Sequence, residues 1–141
     1  MCARQITRGL YKGYISSRPF QGERVPQRIQ NMAIKSYCEV HGLTFALSAT
    51  EYAMEDSFLI LEQLLSEMSQ WAGIICYSVF QLPAKNIYRK DVLSRVVSSN
   101  TMHFALEELS VSSKEDIARL DDIWSVKNTM NYLEHKGEII L

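Results

Sequence analysis

Four short strings hold most of the side chains that could do chemistry. They are "SSRPFQGER" from Ser16 to Arg24, "SATEY" from Ser48 to Tyr52, "SVFQ" from Ser78 to Gln81, and the pair Glu107 and Glu108. Hydroxyls, open backbone N–H groups and a guanidinium are what a phosphate or carboxylate needs: small donors around each oxygen, and a planar fork that takes two oxygens at once. Ser16, Ser17, Arg18 and Arg24, with Ser48, Thr50, Ser78 and Gln81, therefore read as substrate-binding residues. A carboxylate beside such an anion can accept from sugar hydroxyls, or act as acid or base where burial raises its pKa. Glu51 and Glu107 are the candidates for that work, and Tyr52 is the candidate to orient a hydroxyl. The competing explanation is turn chemistry, because Ser, Pro and Gly are what chain reversals favour.

The strings act together only if the fold gathers them, and the hydrophobic pattern supplies the means. "YKGYIS", 11–16, reads as a strand, followed from Pro26 by a helix with Ile29, Ala33, Tyr37 and Val40 at helical spacing and Gly42 as its stop. "LTFALS", 43–48, is the second strand. Asp56 and Ser57 offer caps for a helix with the stripe Phe58, Leu61, Leu65, Met68 and Ala72. "GIICYSV", 73–79, is continuous apolar sequence of strand length, as a strand covered on both faces requires. A helix over 86–98 with Ile87, Val92, Val96 and Val97 leads to the strand "MHFAL", 102–106. Ser112 and Glu115 form a capping box opening a long helix, 113–135, with Ile117, Leu120, Trp124, Met130 and Leu133 apolar and Gly137 beyond its end.

Strands alternating with helices imply an α/β fold: one domain over 1–141, three layers, an open parallel sheet of about four strands. Residues 1–9 are expected as a loosely ordered arm. In such sheets ligands bind outside the carboxyl ends of the strands. All four strings leave strands at that edge.

Composition narrows the partners. The 141 residues are 47% hydrophobic and 22% charged with net charge -1, which argues against a nucleic-acid binder, since phosphate neutralisation needs a basic face. Cys2, Cys38 and Cys76 share no metal spacing with His41, His103 and His135. His41 and His135 sit at helix ends, His103 lies within a strand as a packed or solvated residue rather than a catalytic one, and Asp121 and Asp122 form a solvated face. No export signal and no bilayer-length apolar run is present, so the expectation is a reduced, cytoplasmic, metal-free protein. Without a Gly-x-Gly-x-x-Gly or P-loop, no cofactor is expected.

The spacing of "GYISSRP", the Gly42-terminated helix and "GIICYSVFQLP" resembles the catalytic domain of serine recombinases, the resolvases and invertases, over about residues 11–110. That family's first motif is Gly-Tyr-x-Arg-Val-Ser and a later one is Leu-Asp-Arg-Leu-x-Arg. Matched on Gly13-Tyr14, Ser16 stands at the first arginine and Arg18 at the nucleophilic serine. Phe80 and Gln81 stand at the Asp-Arg pair and Ala84 at the last arginine. The resemblance implies a resolvase- or flavodoxin-like fold with a long C-terminal helix. The departures remove strand exchange, which needs the serine and several arginines. "GYISSRPF", "ERVPQRIQN", "LSATEYAM" and "YSVFQLP" are also similar to the sporadic carbohydrate cluster proteins, small bacterial proteins encoded among surface-polysaccharide genes. That resemblance implies a role in lipopolysaccharide or capsule sugar biosynthesis.

Three readings follow. The first is a cofactor-independent isomerase, epimerase or hydrolase acting on a phosphorylated, nucleotide-linked or acidic sugar. The second is a non-catalytic partner of a sugar-pathway enzyme, docking or forming a homodimer through an apolar stripe that includes Trp124, Met130 and Tyr132. The third is a decayed recombinase domain with Arg18, Arg24, Lys85 and Arg89 on one basic face.

Overall fold

Gly13-Tyr14-Ile15-Ser16 lies at the centre of the molecule, with a strand on each side and helices over each face. The computed structural model describes residues 9–20 and 22–135, the side chains of 134 and 135 excepted. Strand β1 (Leu10–Ser16) pairs in parallel with β2 (Thr44–Glu51) on one edge and β3 (Gly73–Cys76) on the other. β4 (Met102–Phe104) extends the parallel sheet, and β5 (Leu109–Val111) closes it antiparallel, in the order β2-β1-β3-β4-β5. The fold is mixed α/β with a five-stranded, mostly parallel sheet and a long C-terminal helix.

Successive strand residues face opposite ways, so the central strands feed two cores. Tyr14, Ile74, Cys76, Met102 and Phe104 pack against helices α2 (Leu59–Ser66), α3 (Asn86–Val97) and α4 (Lys114–His135). Ile15, Ile75 and Tyr77 meet α1 (Gln27–His41) on the other face. The chain leaves β1 for β2 through α1, then crosses by α2 to β3 and by α3 to β4 on the opposite face. The direction of winding therefore reverses between β1 and β3, where an open α/β sheet leaves a crevice. Gly13 lets β1 and β2 approach closely at a register shift; a Cβ there would collide with Ser48 Oγ.

Several boundaries differ from the sequence-based expectation. β2 runs to Glu51 rather than Ser48, because Thr50 and Glu51 pair with Ile15 and Ser16; Ser48, Thr50 and Glu51 are strand residues, not loop residues. β3 ends at Cys76, and Val79–Gln81 forms a short 3-10 turn. The segment after β4 is a hairpin: residues 105–108 turn, with Glu108 at φ 54, and Leu109–Val111 returns antiparallel.

The buried stripe of α1 is Gln30, Ile34, Tyr37 and Cys38, which leaves Ile29 and Val40 in solvent. Ile87 of α3 is likewise exposed, and Arg89 and Leu93 are buried. The cap of α4 lies one residue further along than expected: Ser113 Oγ accepts from Asp116 N–H, and Asp116 Oδ2 accepts from the backbone of Ser112 and Ser113. Neither Asp56 nor Ser57 caps α2; that role falls to a side chain from β2. The expected arm falls outside the described residues except for Gly9, as do Cys2 and Gly137. Among the described residues no helix is long and apolar enough to cross a membrane.

Candidate functional site

At the crevice between β1 and β3 the ends of the two strands are tied together by side-chain amides. Gln30, buried on α1, reads the backbone of Ser16 as a neighbouring strand would. Its Oε1 accepts from Ser16 N–H at 3.0 Å, and its Nε2 donates to Ser16 O at 2.8 Å and to Val25 O at 2.8 Å. Gln81, from the turn after β3, donates to Gln30 Oε1 at 2.8 Å and to Ser16 Oγ at 3.3 Å, while its Oε1 accepts from Ser78 N–H. Each amide thus uses donors and acceptors on both ends. A buried network satisfied in this way holds one geometry.

Arg18 points from the end of β1 across to the segment after β2. Its Nη1 donates to the carbonyls of Tyr52 at 3.4 Å, Met54 at 3.2 Å and Ser57 at 2.5 Å, and the guanidinium lies over the Phe58 ring at 4.7 Å. All three bonds come from one nitrogen. Arg18 therefore shapes the 52–57 loop and also lines a cleft of about 190 Å³ together with Ser16, Gln81, Phe58, Phe80 and Trp124. Glu55 and Asp56 stand at the same cleft.

Glu51 does not reach that cleft. It is fully buried, and its carboxylate accepts from Tyr14 Oη at 2.8 Å, Leu61 N–H at 3.1 Å and Ile60 N–H at 3.2 Å. Tyr52 N–H and Ser57 Oγ add longer bonds at 3.2 and 3.5 Å. A carboxylate at the start of a helix satisfies orphan N–H groups and meets the positive end of the helix dipole. Glu51 is the missing cap of α2, delivered by a strand. Burial, followed by the Glu51 charge, pushes the Tyr14 phenol far above its ordinary pKa, so Tyr14 stays protonated and donates.

Glu107 caps a second turn from the hairpin. Oε1 accepts from Val79 N–H at 2.8 Å and Oε2 from Ser78 Oγ at 2.7 Å, yet the residue is only half-buried. It lines a separate cleft of about 210 Å³ with Ser78, Tyr77, Glu23 and Lys127. Phe20 and Phe80 border both clefts.

The predicted residues therefore divide. Ser16, Arg18 and Gln81 share the first cleft, and Ser78 and Glu107 share the second. Ser17 Oγ donates to Glu51 O and Ser48 Oγ to Asn31 Oδ1, both in structural roles. Thr50 lies along β2; Arg24 and Tyr52 are exposed and line neither cleft. Arg89 is not on a basic face: it is buried against Trp124, bonded to the Pro83 and Ala84 carbonyls and paired with Asp121 at 3.4 Å. Asp121, read as solvated, is thereby a partly buried ion-pair acceptor. Of the two settings open to His103, packed or solvated, the structure shows the packed one, its Nδ1 bonded to Tyr37 Oη at 2.8 Å, and burial lowers its pKa. Sequence reasoning passed over Tyr14, Gln30 and Tyr77. For Gln30 a signal existed, a lone amide on the apolar face of α1. No three His, Cys, Asp or Glu side chains converge on a metal position among the described residues.

The chain is similar to the crystal structure of the N-terminal catalytic domain of TP901-1 integrase, with a TM-score of 0.51 and 17% identity over 91% of this chain and 99% of that one. The sheet and long helix are thus resolvase-like. Neither the family models nor the curated proteins yield a match.

Proposed function

We propose that this protein serves surface-carbohydrate biosynthesis by binding a phosphorylated, nucleotide-linked or acidic sugar at the carboxyl edge of its sheet. The observation that carries the reading is the cleft at the winding reversal, lined by Arg18, Ser16 and Gln81 between the aromatic rings of Phe58, Phe80 and Trp124, with the exposed Glu55 and Asp56 beside them. A few convergent polar groups in an aromatic-lined crevice are the composition of a small-molecule site. The strings that resemble the sporadic carbohydrate cluster proteins include these residues. Of the groups considered for acid–base work, Glu51 is sealed and Tyr52 lines neither cleft, so isomerisation, epimerisation or hydrolysis would run through Glu107.

A second reading, a non-catalytic partner subunit, draws support from α4, although Trp124 is buried in the protein's own core and does not belong to the exposed stripe. Its far half carries a groove of about 480 Å³ lined by Ile123, Val126 and Met130, and Val126 is 63% exposed. The decayed-recombinase reading loses Arg89 from its basic face.

The test is a thermal-shift screen of sugar phosphates, nucleotide sugars and acidic nonulosonic sugars against the wild type and Arg18→Ala. A ligand at 100-fold its dissociation constant stabilises by about 2.7 kcal/mol, enough to move Tm visibly. The expected outcome is a rise in Tm that Arg18→Ala abolishes. A rise that survives Arg18→Ala, or no rise with any sugar alongside a stable complex with a pathway enzyme, overturns the reading.

A further inference from the structure

Each of the two clefts, at about 190 and 210 Å³, is smaller than the roughly 300–1,000 Å³ typical of small-molecule sites. They meet at Phe20 and Phe80. The first offers a guanidinium, Arg18, with the exposed, solvated carboxylates Glu55 and Asp56 beside it. The second offers a phenol and two carboxylates with one ammonium, from Tyr77, Glu107, Glu23 and Lys127.

Tyr77 is the residue that turns the second cleft into a built site. It is 7% exposed, and its hydroxyl has no hydrogen-bond partner among the described residues. Nor is its oxygen one of the buried orphan atoms, so what remains accessible of this side chain includes the oxygen, opening on the cleft. Burial, with the Glu107 and Glu23 charges adding to it, raises the phenol's pKa, which keeps it a donor at neutral pH. Glu107 spends one acceptor position of each oxygen on Val79 N–H and Ser78 Oγ, and a carboxylate has about four. The remaining positions face no protein donor among the described residues.

We propose that the two clefts are halves of one site, and that its ligand is a phosphorylated amino sugar, with phosphate at Arg18 and the amine-bearing ring against Phe20 and Phe80, its amine on Glu107 and a hydroxyl on Tyr77. Glu107, partly buried and with acceptor positions to spare, selects an ammonium over a neutral hydroxyl. This inference rests on the proposed anion site at Arg18.

Isothermal titration of the full chain with inorganic phosphate, glucose 1- and 6-phosphate and glucosamine 1- and 6-phosphate tests it. One glucosamine phosphate should bind about tenfold tighter than its glucose counterpart, the scale of one charge-assisted hydrogen bond. Glu107→Gln should erase that advantage. Tyr77→Phe, which removes only the hydroxyl, should weaken both sugars several-fold and leave inorganic phosphate unchanged. Equal affinity of the two sugars, or a preference that survives Glu107→Gln, overturns the inference while the anion site stands. Failure of every phosphate to bind overturns the anion site and this inference together.

Discussion

Glu51 and Glu107 do the same local job in two different settings. Each is a carboxylate that accepts backbone N–H groups at the start of a helical turn, Ile60 and Leu61 for one, Val79 for the other. Glu51 also takes the Tyr14 hydroxyl and lies wholly inside the protein, whereas Glu107 keeps one side on a cleft. The contrast shows that a carboxylate near a sheet edge is available for chemistry only if its donors leave a lone pair facing outward. Residue type and a place near the carboxyl edge of the sheet are shared by both; the direction of the donors is not.

The comparison breaks most easily at Glu51. Glu51→Ala leaves two helix N–H groups and a phenol unsatisfied in the interior, an expected loss of roughly 3 kcal/mol or more. Urea unfolding would measure it, and a loss near zero would mean that Glu51 is not the cap of α2. At the half-exposed Glu107, water can replace the carboxylate, so Glu107→Ala should cost only about 1 kcal/mol. A cost equal to that of Glu51→Ala would erase the distinction between sealed and open.

Glu62 extends the series to the surface. It meets Arg95 with two bonds, at 2.7 and 2.8 Å, and accepts from Tyr88 Oη at 2.7 Å, with its side chain 39% exposed. The Arg95 hydrogen bonds hold its pKa down to about 2, from an ordinary 4.5. Because the folded value is depressed, the stabilisation is fully present above pH 4.5 and fades as pH falls toward 2. Screening by water limits it to under about 1 kcal/mol. Glu62→Gln should therefore trail the wild type slightly at pH 7 and match it near pH 2 in paired melting curves. A gap that persists near pH 2 would assign the effect to packing rather than charge.

Much of the frame is legible in the chain. The left-handed Gly42 at φ 68 ends α1 where its sequence says it should, and "GIIC" reads as a strand buried on both faces because no polar residue interrupts it. The hairpin was hidden by its size. β5 has three residues, and its turn places a glutamate, not a glycine, at positive φ, so neither length nor turn residue announces it. The register of α1 was obscured in another way: Ile29 and Val40 are apolar but face solvent, and Gln30 takes the core position because the Ser16 backbone awaits it.

By itself the sequence determined four of the five strands, the helices, their alternation, and hence the edge at which polar strings collect, because those follow from local periodicity and chain direction. Tertiary structure alone decided which of those polar groups are open. The donors to Glu51 come from Tyr14, 37 residues earlier, and from the helix after it. Those to Glu107 come from residues 28 and 29 positions back. Hydrogen-bond saturation is a property of what packs around a side chain, and no window of neighbouring letters contains it.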